Sequence, residues 1–343
     1  MTSSERIGTT LGHREPDRVP FLLPTILQGA RELGLPIREY FSKAEYVVEG
    51  QLRLRQRYGH DALFGFMYAS QELEAWGGET LFREDGPPNG GAPVIRAPEE
   101  IERLTPPIVA DSPTLCRVLT AIETLRARVG DEVPIMGVSI APFSLPVMQM
   151  GFEAYLDLMH DQPELLDRLL RINEAFCVEW SNAQLAAGAT AISYTDPVSS
   201  PTIVPRSLST RHAFPVARRV FAALEGPAAT GLASGRCLPI IDDIAATGAV
   251  GVGASCDEDL AEVKAACRGR LTVMGNLNAI EMRHWTPDEA ESKVRDAIAA
   301  AGPGGGFVLT DNHGEIPWQV PDEVLLAISA AVDRWGHYPL DWT

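Results

Sequence analysis

The 343-residue sequence contains no uninterrupted apolar run near the roughly 18–20 residues that a bilayer-spanning helix needs, so no segment reads as a membrane-spanning helix. It is poor in positive charge: 29 Lys and Arg stand against 46 Asp and Glu, a formal net charge of −17. A phosphate-binding surface needs a basic stripe, and none is visible, so nucleic acid is excluded as a partner and anionic membranes are disfavoured. An anionic small molecule remains accessible, because a few focused arginines suffice to hold one. Cysteine is scarce and unpaired in pattern. Cys116, Cys177, Cys237, Cys256 and Cys267 form an odd set without a CxxC, which points to reduced thiols in a cytoplasmic protein. The opening MTSSERIGTTLGHREPDR lacks the apolar segment of a secretory signal.

What is present is a recurrence. Short, uncharged, β-branched runs at 19–23, 62–66, 135–140, 191–194, 228–232, 250–253, 271–274 and 307–310 read as strands buried on both faces. Amphipathic stretches at 38–58, 163–187, 257–266, 287–301 and 322–335 read as helices between them. Repeated strand–helix units with this tally predict an α/β fold, a single (β/α)₈ TIM barrel over 1–343 with a helical N-terminal arm. A doubly wound open sheet is the rival, but PFLLPTILQGAR after the first strand has no GxGxxG turn. The GPGGG at 302–306 precedes a strand and reads as a flexible connection, and DGPPNGGAP at 85–93 as a surface insertion.

In such a barrel the active site is built on the loops after the strands. Those positions hold Gln28 and Arg31, then Tyr68, Phe143, Asp196, Ser234 with Arg236, and Asn276, all candidate substrate contacts. The densest cluster is DNHGE after the last strand. His313 between Asp311 and Glu315 suits general acid–base chemistry or metal ligation. The plainer reading is that Asp311 caps the following turn and His313 is a hydrogen-bonded surface residue. Asp61, just before the second strand, reads as a residue that orders its loop.

PDRVPFLLP, YGHDALFGFMYASQELEAWGGET, GVSIAPFSLPVMQMGFEAYLDLM, AAGATAISYTDPVSS, VMGNLNA and GGFVLTDNHGEIPWQVPDEVLLAI together resemble the uroporphyrinogen decarboxylase superfamily across nearly the whole chain. The likeness is nearest to its corrinoid-linked, methylcobamide:coenzyme M type methyltransferases. The resemblance implies a TIM barrel, as the strand tally does. Matched residue by residue, Leu27 and Arg31 fall on the two substrate-holding arginines of the decarboxylases, Tyr68 on their catalytic aspartate and Met148 near their site tyrosine; His313 is retained. Against the methyltransferases, LASG replaces the zinc-binding HxCG, so Leu232 and Ser234 stand at two ligand positions and His313 or Gly314 at the third. Glu74 matches the acidic residue of that branch and joins His313, Asp311 and Glu315 as a catalytic candidate.

The resemblance therefore implies a methyltransferase or demethylase that moves a methyl group between a small substrate and a corrinoid (methylcobalamin) or tetrahydrofolate carrier. A corrinoid protein is the implied partner, with a homodimer by analogy. The alternative is a metal-independent decarboxylase or lyase acting on a small acid or tetrapyrrole. The remaining candidate metal set is Cys237 or Cys256 with His313, against which both cysteines read as small, partly buried apolar residues. Elemental analysis of the purified protein is expected to find no stoichiometric zinc; one full equivalent would mean a rearranged ligand set.

Overall fold

The computed structural model describes residues 1–343. Seven parallel strands follow one another in chain order: β1 (Leu63–Phe64), β2 (Ile135–Ile140), β3 (Ala191–Thr195), β4 (Ala228–Gly231), β5 (Gly251–Gly253), β6 (Thr272–Leu277) and β7 (Phe307–Asp311). Helices such as Pro163–Ala186, Pro287–Ala301 and Asp322–Trp335 connect or flank them, close to their expected bounds. The strands are short because each needs only to cross the barrel wall, and their alternate residues face either the interior or the helices. In β3, Ile192 and Tyr194 are buried against the helices while Ser193 and Thr195 turn inward. No helix is long and apolar enough to cross a membrane.

The expected first strand at 19–23 is reduced to a single parallel bridge, Phe21 to Leu309. Pro20 and Pro24 explain this, since proline has no N–H to give a ladder. The segment nevertheless joins the two edges of the sheet. On one side Leu309 N–H donates to the Pro20 carbonyl at 2.9 Å and Leu22 N–H to the Leu309 carbonyl at 2.8 Å; on the other, Asp61 N–H donates to the Phe21 carbonyl at 2.9 Å. The ring has eight staves, one of them irregular.

Asp61 fastens that stave. Its carboxylate is 1% exposed and accepts from Ser3 Oγ (3.0 Å), Arg6 Nη1 (2.6 Å), Arg18 Nη1 (2.8 Å), Arg18 Nη2 (3.2 Å) and the Phe21 N–H (3.0 Å). Arg6 also forks onto Asp17 through two bonds of 2.7 Å. Burial alone would raise the Asp17 carboxyl, but hydrogen bonds from Arg6 and the N-terminal ammonium outweigh it and hold it well below the usual range. Arg6 belongs to the N-terminal helix Ser3–Leu11, started by a reciprocal Thr2–Glu5 capping box. The helical arm is thus tied by ion pairs to the seam of the barrel.

Three expectations are corrected locally. The helix at 38–58 is broken into Ile37–Tyr40 and Ala44–Tyr58 by an extended Lys43. The break lets the buried Tyr40 ring turn inward against Gly50, where an added Cβ would lie 2.7 Å from the Tyr40 hydroxyl. The helix at 257–266 starts later, as Leu260–Cys267, because the Asp259 carboxylate caps the Ala261 and Glu262 N–H groups. The stretch at 302–306 is a fixed turn: Gly304, Gly305 and Gly306 have φ of 79°, 69° and 65°, and Gly304 N–H donates to Glu15 at 2.9 Å. The insertion at 85–93 lies in a small antiparallel ribbon, Thr80–Leu81 against Asn89–Gly90.

Replacing Asp61 with alanine would leave the Arg18 guanidinium without a carboxylate and Arg6 with only its fork onto Asp17. The expected loss is about 3–5 kcal/mol of unfolding free energy, read as a lowered denaturant midpoint. A change below about 1 kcal/mol would mean that the seam does not depend on this carboxylate.

Candidate functional site

The carboxyl ends of the strands enclose a cavity of about 220 Å³. Its wall is largely apolar, with Ile26, Phe64, Phe66, Met136, Leu232 and Met274. A second set of side chains, Ser193, Thr195, Thr230 and Thr310, brings hydroxyls to it from β3, β4 and β7. The rim on one side is the run Asp311–Glu315. Neither lysine nor arginine lines the cavity.

Asp311 ends β7 and is 4% exposed. Its Oδ2 accepts from the His313 and Gly314 N–H groups, each at 2.7 Å, so it caps the turn that carries His313. Burial pushes its carboxyl up, against the lowering effect of those two bonds. Glu315, half-buried on the same rim, is pushed up to about 7 by burial and by the neighbouring Asp311 charge. It titrates near neutrality, where a group can both give and take a proton. His313 is exposed, and its Nδ1 lies 3.2 Å from Ser234 Oγ.

Asn312 joins the loops behind this rim. Its Nδ2 donates to Ser234 Oγ and to Cys256 Sγ, both at 3.1 Å, and its Oδ1 accepts from Ala279 N–H at 3.3 Å. Its carbonyl accepts from Ser234 N–H at 2.8 Å. The loops after β4, β5 and β6 are therefore held to the loop after β7 by one residue. Ala233 and Ser234 sit at φ of 44° and 73°, a left-handed conformation that is costly for residues with a Cβ.

The other sequence candidates are not brought to the cavity. Gln28 is used structurally: its Nε2 donates to the Ile316 and Pro317 carbonyls at 3.0 Å, and Arg31 Nη1 to those of Trp318 (3.2 Å) and Val320 (3.3 Å). Both fasten the loop after the DNHGE turn. Tyr68 is buried and donates to Glu74 at 3.1 Å, and Glu74 faces a separate groove with Arg38 and Phe82. Phe143 is fully buried, its carbonyl accepting from Tyr155 Oη at 2.8 Å. Asp196, pushed up to about 6 by burial, accepts from Ser144 Oγ at 2.5 Å behind the wall. Arg236 is exposed, and Asn276 donates to the Ser255 carbonyl at 3.0 Å beside an adjoining groove.

No three His, Cys, Asp or Glu side chains converge as a metal-holding group. Cys237 is buried, with its N–H on the Glu258 carboxylate, and burial raises the Cys256 thiol, which disfavours a thiolate ligand at either. Reading strand ends alone misses the hydroxyls on the wall. The signal for them is a polar residue at every second place of a short apolar strand, as at Ser193 and Thr195.

The family model described as uroporphyrinogen decarboxylase (URO-D) matches residues 2–335. Among curated relatives, the uroporphyrinogen decarboxylase of Cellvibrio japonicus is 24% identical over 310 residues, covering 86% of this chain and 84% of the relative. That of Cupriavidus necator is 28% identical over 307 residues, covering 82% and 81%. Among solved structures, a methyltransferase from Methanosarcina mazei superposes with a TM-score of 0.83 at 21% identity, covering 97% of this chain and 99% of that one. The likeness to that structure establishes the barrel fold.

Glu315 gives a pH test. Its carboxyl is raised in the folded state, so the folded protein is penalised as pH rises through about 7 and is not penalised below the ordinary carboxyl value near 4.5. Glu315→Gln is expected to stabilise the protein by about 1–3 kcal/mol above neutral pH and to leave acid-side stability unchanged. Parallel thermal melts across pH check this; superimposable wild-type and variant profiles would refute the raised value.

Proposed function

The chain belongs to the uroporphyrinogen decarboxylase family, and on that premise we propose that it is a methyl-transfer enzyme acting on a small, largely apolar substrate. The observation that carries this reading is the cavity itself: about 220 Å³, apolar-walled, and without a lysine or arginine. It is smaller than the roughly 300–1,000 Å³ of sites that take drug-sized ligands. A polycarboxylate tetrapyrrole needs both more room and cations to hold its carboxylates. The fold shared with the Methanosarcina mazei methyltransferase agrees with the proposal without carrying it.

When bound, a corrinoid or tetrahydrofolate carrier supplies the chemistry that accepts or delivers the methyl group. This chain's residues do the rest. The apolar wall excludes water around the methyl, and the substrate heteroatom faces the rim. As the bond from heteroatom to methyl carbon breaks, the bonding pair stays on the heteroatom. Glu315, whose carboxyl burial pushes up to about 7, or His313 supplies the proton that neutralises it. Asp311 holds the turn that aims them. The zinc chemistry of the methylcobamide:coenzyme M type has no matching donor set here, with Leu232 and Ser234 at two ligand positions.

Decarboxylation of a small acid is the second reading, favoured by the names of the curated relatives. It would use His313 or Glu315 to protonate the carbanion, but it wants a cation for the substrate carboxylate, and Arg31 is engaged with main-chain carbonyls. Assay with methoxy and methylamine donors, with reduced cobalamin or tetrahydrofolate as acceptor, separates the two. Methyl transfer is expected, with kcat falling about 10²–10⁴-fold in a His313→Ala, Glu315→Gln double variant that still folds. Release of CO₂ from a small acid with no methyl transfer to either acceptor would decide for the second reading.

A further inference from the structure

We infer that Asn312 and Ser234 are positioning residues that fix the neutral imidazole of His313 as the tautomer protonated on Nε2, so that it meets the substrate as a hydrogen-bond donor. The inference deepens the proposed role of His313 as a proton donor and rests on that reading for its catalytic meaning. Its structural content stands independently of it.

The argument is a count of donors and acceptors around one hydroxyl. Ser234 Oγ has a single proton to give and two lone pairs to receive with. Asn312 Nδ2, which can only donate, lies 3.1 Å from it and takes one lone pair. The identity of that amide nitrogen is set by the other end of the side chain. Oδ1 lies 3.3 Å from the Ala279 N–H, which can only donate, so the oxygen must be on that side. His313 Nδ1, at 3.2 Å, is the remaining side-chain partner of the hydroxyl. A protonated Nδ1 would occupy the second lone pair and turn the hydroxyl proton out to solvent; donation to Nδ1 keeps that proton within the network, and in this inferred arrangement Nδ1 carries none. In the neutral ring the proton then sits on Nε2.

The surrounding backbone holds this direction. Ser234 N–H donates to the Asn312 carbonyl at 2.8 Å, and Ser255 Oγ donates to the Ser234 carbonyl at 2.9 Å. These two bonds pin Ser234 from both sides in its left-handed conformation at φ 73°. A left-handed serine preceded by a left-handed alanine is unfavourable by on the order of 1–3 kcal/mol per residue. The hydrogen-bonded partners from two other loops, those after β5 and β7, are what maintain it. At the same time the two N–H bonds to Asp311 fix the main chain of His313. Ring position and ring protonation are thus set by different neighbours, Asp311 and Ser234.

The test is a ¹⁵N–¹H correlation spectrum of the histidine rings in the whole protein without substrate, at mildly alkaline pH. The His313 signals are assigned by their loss in His313→Gln. The expected wild-type pattern is an unprotonated Nδ1 and a protonated Nε2. Ser234→Ala is expected to shift both signals toward the values of a mixed tautomer population. Asn312→Asp replaces a donor with an acceptor, reverses the hydroxyl, and is expected to move the proton to Nδ1. A wild-type ring protonated on Nδ1, or ring shifts unmoved by both substitutions, would overturn the inference. If either variant does not fold, as its amide spectrum would reveal, the wild-type pattern decides alone. Because no substrate is present, failure of the methyl-transfer proposal leaves this result untouched, and the converse also holds.

Discussion

A ring of parallel strands has to meet itself, and in this chain it does so through a segment that begins and ends in proline. Pro20 and Pro24 withhold two N–H groups at the place where the two edges of the sheet converge, so the ladder there is thin. The carboxylate of Asp61 makes up the difference. It gathers two arginines, a serine and a main-chain N–H at one buried point, and two of those groups belong to the N-terminal helix. A buried carboxylate with so many partners keeps its charge because each desolvated lone pair is answered by a donor. The opposite end of the barrel can then carry loops with little regular structure, since closure is secured below them.

The mouth is organised on a different principle. Its apolar wall defines a space, and its polar groups are nearly all arranged around that space, fastening one loop to another. Asp311 caps the turn of its own loop, Gln28 and Arg31 hold the segment beyond it, and Asn312 ties the neighbouring loops together. Few groups are left facing inward with free valence. Those that are, Glu315, His313 and the wall hydroxyls, make a small set that a substrate could meet. The left-handed Ala233 and Ser234 mark where local conformational preference yields to this arrangement.

Much of the barrel was legible because apolar, β-branched runs recurring at strand length are hard to place in any other α/β form. The first stave was the exception. Its composition reads as a strand, yet the prolines that bound it reduce it to one bridge. The DNHGE turn was also legible as a rim feature, since a polar run directly after a strand can only lie on that side of the barrel. What the residue order could not convey is direction. Asp196 and Phe143 follow strands, but they turn behind the wall, where Ser144 and Tyr155 satisfy them. Glu74 follows the matched pattern but faces an outer groove with Tyr68 and Thr114. Position along a chain fixes which end of the barrel a residue occupies; packing against its neighbours decides which way it points.

The four-way attachment of Asn312 has a bearing on how such a mouth can change over time. A substitution at Ser234, at Cys256 or beside Ala279 alters the bonding of the same amide, so its effect depends on what already stands at the other two places. Energies of changes in these loops will not add, however separate the loops look in sequence. New specificity at this barrel would then arise by concerted replacement of several loop residues.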